Sequence, residues 1–207
     1  MGEHILGFNE RRFLELYRRF YGEPYPAAED KNQNAHVKGQ KAVYLLMLKQ
    51  VNVGDYGFTW QQHGPCSDAL QEMMRELDKA PKSVAEFYQN FPGDDASNKT
   101  LYSDDSNMQR LFCLEDAGKI DAVKKALVLP EEHSTQEDDS DTPVRRWMEL
   151  LGSLTYISTT RLPGASEERV WAELQKAKSK VKYLDAPEKD KAFQVLRLAD
   201  FLSCAEK

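Results

Sequence analysis

The chain has little of what marks secreted and membrane proteins. Its 207 residues include only three cysteines, far apart in the chain, which excludes a disulfide framework and fits reduced thiols. No run of about 20 apolar residues is present, so we expect no membrane-spanning helix. The first residues lack the basic start and apolar run of a secretory signal, and none is expected. These absences predict a cytoplasmic protein.

Familiar catalytic motifs are also absent. The sequence contains no phosphate loop, no G-x-S-x-G, no H-E-x-x-H and no dinucleotide fingerprint. The one local pair of reactive residue types is His63 and Cys66, which lacks the second ligand pair of a zinc site. A cysteine beside a helix start can have a lowered pKa, but a small apolar filler is the commoner role. We therefore expect no enzyme, no cofactor and no metal.

The acidic excess is concentrated in one stretch. The net charge is −6, and residues 131–142 hold six acids with no Lys or Arg. Without those six, the 34 acids fall to 28 and equal the 28 Lys and Arg residues. The rest of the chain is therefore neutral, which does not favour nucleic-acid binding by bulk charge. We interpret residues 131–142 as a solvated linker. The alternative is an acidic segment that attracts a basic partner.

The segment from 41 to 79 predicts the centre of the fold. It begins with the apolar run 42–48, followed by turns and a strand-like piece at 58–60. The sequence His63-Gly64-Pro65 predicts a stop. Ser67 is then a candidate N-cap for an amphipathic helix, because its hydroxyl can accept from a free N–H of the first turn.

Apolar spacing predicts helices in most of the remaining chain. Residues 22–37 read as a loop, and Ser83 with Glu86 resembles a capping box for a short helix. The further helices are predicted at 9–21, at 38–50, around 120–127, from Pro143, from Ser166 and from about Asp185. Two β-compatible pieces, Lys99–Ser103 and Arg110–Leu114, predict a hairpin with a polar loop. The alternative is a helix that includes Met108, Leu111 and Phe112.

Basic residues on two predicted helices are the candidate partner-binding residues. Arg11 and Arg18 share one face of the first helix, as do Arg12 and Arg19, because each pair is seven residues apart. They form either a solvated face beside the apolar stripe or a basic ridge for phosphate or an acidic protein. Arg75 and Lys79 on the helix after Ser67 complete the set.

The same helix argues against ordinary docking into a DNA groove. It also carries four acids, which would face phosphates that repel them. These acids are Asp68, Glu72, Glu76 and Asp78.

Two stretches resemble a known group of proteins. The first combines an apolar Tyr44-Leu45-Leu46 helix, a Y-x-F-x-W piece and G-P-x-S-x-x-L from Gly64 to Leu70; the second is Trp147–Leu154, similar to a W-x-E-L-L-A-S-L helix. Both resemble the YwgA-like, phage-associated uncharacterised proteins, which are more distantly similar to the Panacea antitoxin domain. The first motif is carried by Tyr44, Leu45, Leu46, Tyr56, Phe58, Trp60, Gly64, Pro65, Ser67 and Leu70.

A third stretch, Leu111–Lys119, resembles the last wing strand and following helix of winged-helix domains, with Glu115 where Thr is usual. The resemblance implies a winged-helix-like core with added helices. Together with the elements predicted from apolar spacing, it gives a mainly α fold with a small β-hairpin and a C-terminal helical subdomain. We predict an N-terminal helix and loop at 1–37, the core at 38–130, the linker at 131–142 and the subdomain at 143–207.

The function expected from these observations is a non-enzymatic, regulatory or antitoxin-like module that binds another protein. The alternative is a winged-helix transcriptional regulator that binds DNA. Neither reading involves a membrane or a cofactor.

Overall fold

The computed structural model describes residues 4–27, 33–90, 114–130, 143–177 and 186–202. Within these ranges the chain forms eight α-helices and one small antiparallel hairpin, so the predicted fold class is confirmed. The helices are α1 (Phe8–Tyr21), α2 (Gln33–Leu48), α3 (Asp68–Asp78), α4 (Pro81–Asn90), α5 (Leu114–Leu127), α6 (Pro143–Tyr156), α7 (Glu167–Ala177) and α8 (Ala186–Leu198). A π-helical segment, Ile157–Arg161, continues α6.

The hairpin pairs β1 (Thr59–Gln61) with β2 (Gly64–Cys66). In the antiparallel register Thr59 faces Cys66 and Gln61 faces Gly64, which leaves a two-residue loop. Trp60 lies opposite Pro65, at the position between them. The strand-like prediction at 58–60 is confirmed for β1.

The predicted stop at His63-Gly64-Pro65 is wrong, because Gly64 begins the second strand. Gly64 has φ +88, a left-handed backbone that glycine adopts without steric cost, so the chain reverses there and remains in the sheet. The predicted wing lies outside the described residues, except that Leu114 is helical and not β. The winged-helix-like core accordingly stays a prediction.

Several helix limits follow the predicted signals. Ser67 accepts a hydrogen bond from the Leu70 amide, and α6 begins at Pro143 as expected. Ser166 accepts from the Arg169 amide at 3.4 Å at the start of α7.

Two predicted boundaries are wrong. Helix α2 begins at Gln33, inside the predicted loop, because Ala35 and Val37 are buried in the core and extend the apolar face of the helix. Helix α4 begins at Pro81, a residue that suits the first helical position, so Ser83 lies inside the helix. The Ser83 hydroxyl donates to the His4 carbonyl and does not cap α4.

Helix α2 is the central element of the fold. Residues 37–46 are buried without interruption, and the helix packs against α1, α3, α5, α6 and the hairpin. Its main partner is α6, so helices on both sides of 131–142 contribute to one apolar core. The division at 37, 130 and 142 stays a prediction. Among the described residues, no helix is long and apolar enough to cross a membrane.

Buried tyrosines predict a loss of stability in alkali. Burial and the adjacent Asp78 carboxylate raise the pKa of Tyr25, and burial raises the pKa of Tyr88. A phenol whose pKa is raised by folding contributes fully below pH ~10, its value when unfolded, and this contribution is lost as the pH rises further. We expect the free energy of unfolding, measured in urea from pH 8 to pH 11, to fall above pH ~10. The contribution of Tyr25 alone should be up to ~1.4 kcal/mol per pH unit.

Comparison with Tyr25→Phe isolates this contribution from the titration of surface lysines. The variant should lose less stability between pH 10 and 11 than the wild type. Equal slopes for the two proteins would contradict the assignment to Tyr25.

Candidate functional site

The four arginines that were candidates for a basic ridge lie on α1, and two of them pair with carboxylates of the chain. Arg18 pairs with Glu15 on the same helix. Arg19 donates to both carboxylate oxygens of Asp121 on α5, at 2.9 and 2.6 Å. The Arg19 contact joins α1 to α5, and both pairs reduce the positive charge that a ridge could present to phosphate.

Arg11 and Arg12 are half-buried beside them. Arg12 donates to the Asn52 side-chain oxygen at 2.9 Å and lies over the Phe8 ring at 4.4 Å. Burial lowers the pKa of Arg12, and the Nε of Arg11 is buried with no hydrogen-bond partner among the described residues.

Arg75 on α3 and Lys79 at its C-cap are exposed, but each has a carboxylate beside it. Arg75 lies 3.2 Å from Glu72, and Lys79 lies 2.6 Å from Glu76. The six predicted residues are thus divided between α1 and the C-terminal half of α3 with its C-cap, and the acids of this second helix outnumber its bases.

The hairpin is held from one side by α2. The Gln40 side-chain amide donates to the Ser67 carbonyl and accepts from the Ser67 amide, both at 2.9 Å. The next residue, Lys41, is 1% exposed, and its Nζ donates to the Pro65 carbonyl at 2.6 Å. A buried ammonium bound to a backbone carbonyl fixes the strand, because leaving either group unsatisfied would be costly.

Helix α6 contacts the other side of the hairpin through Glu149, Gly152 and Ser153. Gly152 and Ser153 follow Glu149 by three and four residues, so all three lie on one face of the helix. A β-carbon built on Gly64 would lie closer to the Ser153 Oγ than real β-carbons approach their neighbours. The lack of a side chain at Gly152 likewise leaves room for the aliphatic part of Lys41, since a β-carbon there would lie 2.9 Å from the Lys41 Cδ. At the hairpin tip, the His63 Nδ1 lies 3.4 Å from the Glu149 Oε1. The two motif stretches therefore meet in space.

An aromatic surface lies beside this contact. It consists of Phe58, Trp60, Tyr156 and Arg161, which we call the aromatic face, and Phe58 and Tyr156 lie beside the buried ring of Tyr44. The rings of Trp60 and Tyr156 are 5.6 Å apart, and Tyr44 lies 5.2 Å from Phe58 and 6.1 Å from Tyr156. The guanidinium of Arg161 lies over Trp60 at 4.5 Å. All three outer rings are half-buried, so each keeps part of its surface accessible.

The π-helical segment at the end of α6 places Arg161 on this face. Such segments are rare and are frequently found at functional sites. Thr159 and Thr160 within it are exposed, and the Tyr44 hydroxyl lies 3.5 Å from the Thr159 hydroxyl. The alternation of Phe58 and Trp60 was visible in the sequence. The contributions of Tyr156 and Arg161 were not, since they depend on how α6 crosses the hairpin.

Cys66, at the end of β2, is a half-buried free cysteine. Burial raises the pKa of its thiol, and the nearby Lys41 only partly offsets this effect. The direction is opposite to the lowering considered from its place before a helix. Within the described ranges, no group of three or more His, Cys, Asp or Glu side chains could hold a metal ion.

A second buried polar network joins α2, α3 and the chain after α1. The Asp78 carboxylate accepts from the Tyr25 hydroxyl at 2.9 Å and lies 2.6 Å from the His36 Nε2. The other ring nitrogen, Nδ1, lies 2.6 Å from the Gln71 side-chain nitrogen. Both ring nitrogens of His36 are therefore engaged, which suits a structural histidine better than a catalytic base.

Comparisons of the chain with known proteins found no match. No protein-family model matches the chain, no curated protein matches it, and no solved structure matches its fold. The resemblance to the YwgA-like group rests on the motifs alone and stays a prediction. The class of protein is thus defined by its architecture, a mainly helical fold whose hairpin is held between two central helices.

Proposed function

We propose that this chain is a non-enzymatic, regulatory module that binds another protein through the aromatic face. The observation that carries the proposal is the combination of three half-buried rings and an arginine on one surface. Tryptophan, tyrosine and arginine are the residues most enriched in the energetically dominant parts of protein interfaces. Their attachment to a hairpin fixed by buried contacts pre-organises the surface, which lowers the cost of binding.

Charge favours a protein partner over a nucleic acid. The chain has a net charge of −6, and nucleic-acid affinity comes chiefly from neutralising phosphates. The arginines on α1 that might have supplied a basic patch are half-buried, and Arg18 and Arg19 pair with carboxylates. A partner with a neutral or basic surface fits this balance.

The antitoxin-like part of the proposal comes from the motif resemblance. A module of that kind masks another protein by covering its surface, which needs an interface and no catalytic group. The few, distant cysteines support a cytoplasmic location for this activity.

The test is an affinity pull-down of the tagged chain from lysate of its source cell, with and without nuclease. We expect one stoichiometric protein partner that survives nuclease. Trp60→Ala should retain at most about a tenth of it, because a central interface tryptophan typically contributes 2 kcal/mol or more. A thermal unfolding curve checks that the variant is folded.

Recovery of nucleic acid alone, or of proteins that nuclease removes, would overturn the proposal and support the DNA-binding alternative. Full retention by the folded Trp60→Ala variant would show that the aromatic face is not the interface.

A further inference from the structure

A half-exposed histidine at the hairpin tip lies beside a buried carboxylate. His63 belongs to the two-residue loop between β1 and β2, and its side chain is 32% exposed. The Glu149 carboxylate that it faces is only 4% exposed. An imidazolium at this distance attracts the carboxylate, whereas a neutral imidazole offers at most a long hydrogen bond.

The same two elements carry the aromatic face. Glu149 and Tyr156 are seven residues apart on α6 and therefore share one side of the helix. The hairpin lies along this side of α6, so that His63 is beside Glu149 and Trp60 is beside Tyr156. Because the hairpin is short, a shift of its tip relative to α6 also changes the contact between the two rings.

The other charged groups around the hairpin come from α2, α3, α6 with its π-helical continuation, and α7. On α3, the Asp68 carboxylate accepts from the Gln61 side-chain amide at 3.0 Å. Arg145 lies 4.0 Å from the second oxygen of Glu149, and Lys41 is bound to the Pro65 carbonyl. Arg161, which lies over Trp60, is 3.7 Å from Glu173 on α7. Among all these side-chain types, histidine is the one whose charge ordinarily changes between pH 5 and 8. Burial moves the titration of Cys66 away from that range.

From this arrangement we infer that His63 is a pH-sensitive latch for the aromatic face. Protonation of His63 draws the hairpin tip onto Glu149 and fixes Trp60 against Tyr156, the arrangement that the partner binds. Deprotonation loosens the tip, while Lys41 and Gln40 keep the strand in place. The effect on binding rests on the function proposed above, but the motion of the hairpin does not.

The latch is tested without any partner by fluorine NMR of the chain labelled with 5-fluorotryptophan. The Trp60 resonance is assigned with Trp60→Phe and followed from pH 5 to pH 8. We expect it to shift with the same midpoint as the His63 ring signals and to lose this response in His63→Asn. His4→Asn is the matched control, since His4 lies 2.9 Å from Glu10 in a pair away from the hairpin, and should leave the response unchanged.

A Trp60 resonance that does not change while His63 titrates would overturn the latch, as would a response that persists in His63→Asn. The pull-down repeated at pH 5.5 and pH 8 extends the test to binding. We expect at least about five-fold more partner at the lower pH, and no such difference for His63→Asn.

The two proposals fail separately. A partner bound equally at both pH values would overturn the latch and leave the proposed function intact. A pH response of Trp60 in a chain that retains no protein would overturn the proposed function and leave the latch.

Discussion

Replacing Gly64 by alanine is expected to destabilise the protein by about 3 kcal/mol. A left-handed backbone costs an L-residue roughly 1–2 kcal/mol, and forcing an extra carbon into a packed site costs about 1–3 kcal/mol. Both costs apply at Gly64, which has φ +88 and whose missing β-carbon would press on the Ser153 Oγ. The measurement is the free energy of unfolding in urea.

Two further variants divide this loss into its causes. Gly164→Ala is the matched control, because Gly164 has φ +74 and open space around its α-carbon, so it should lose only the backbone share. Ser153→Ala alone should be nearly neutral or stabilising, since its buried Oγ has no hydrogen-bond partner among the described residues.

The double variant Gly64→Ala with Ser153→Ala should recover the packing share of the loss and retain the backbone share. Additive effects of the two substitutions would contradict the close approach of β2 to α6. Equal losses for Gly64→Ala and Gly164→Ala would contradict it as well.

Replacing Asp78 by alanine is expected to cost about 3 kcal/mol. The carboxylate is the acceptor for the buried Tyr25 hydroxyl and contacts the His36 ring, and each buried group left without a partner costs roughly 1–3 kcal/mol. Unfolding in urea again gives the result. Glu72→Ala on the same helix is the control, because the Glu72 side chain is 61% exposed and its loss should change stability by less than about 0.5 kcal/mol.

The double variant with Tyr25→Phe shows whether the network is responsible. Once the hydroxyl is gone, loss of Asp78 should cost less than it does in the wild type, because one fewer group is left unsatisfied. If Asp78→Ala costs no more than Glu72→Ala, the network does not contribute to stability as described.

Local signals in the sequence predicted much of the helical architecture. Ser67 and Ser166 mark helix starts through hydroxyls that accept backbone amides, and Pro143 begins α6 at a position that needs no N–H donor. These are contacts between residues within three positions of each other, so one sequence suffices to find them.

The site depended on contacts across long stretches of chain. The stop at His63-Gly64-Pro65 was wrong because Lys41 on α2 donates to the Pro65 carbonyl and Gly64 packs closely against Ser153 on α6. Likewise, α1 arginines that looked like a ridge are engaged by residues such as Asp121, about a hundred positions away. Periodicity places a residue on a helix face but does not reveal what the face meets.

The central claim is that the aromatic face, and not the exposed basic pair on α3, binds a protein partner. The most direct test compares Arg161→Glu with Arg75→Glu in nuclease-treated pull-downs, since both are surface arginines within 4 Å of a glutamate. The account predicts that Arg75→Glu retains the partner as the wild type does, while Arg161→Glu retains at most about a tenth. Loss of the partner in Arg75→Glu with full retention in Arg161→Glu would contradict it.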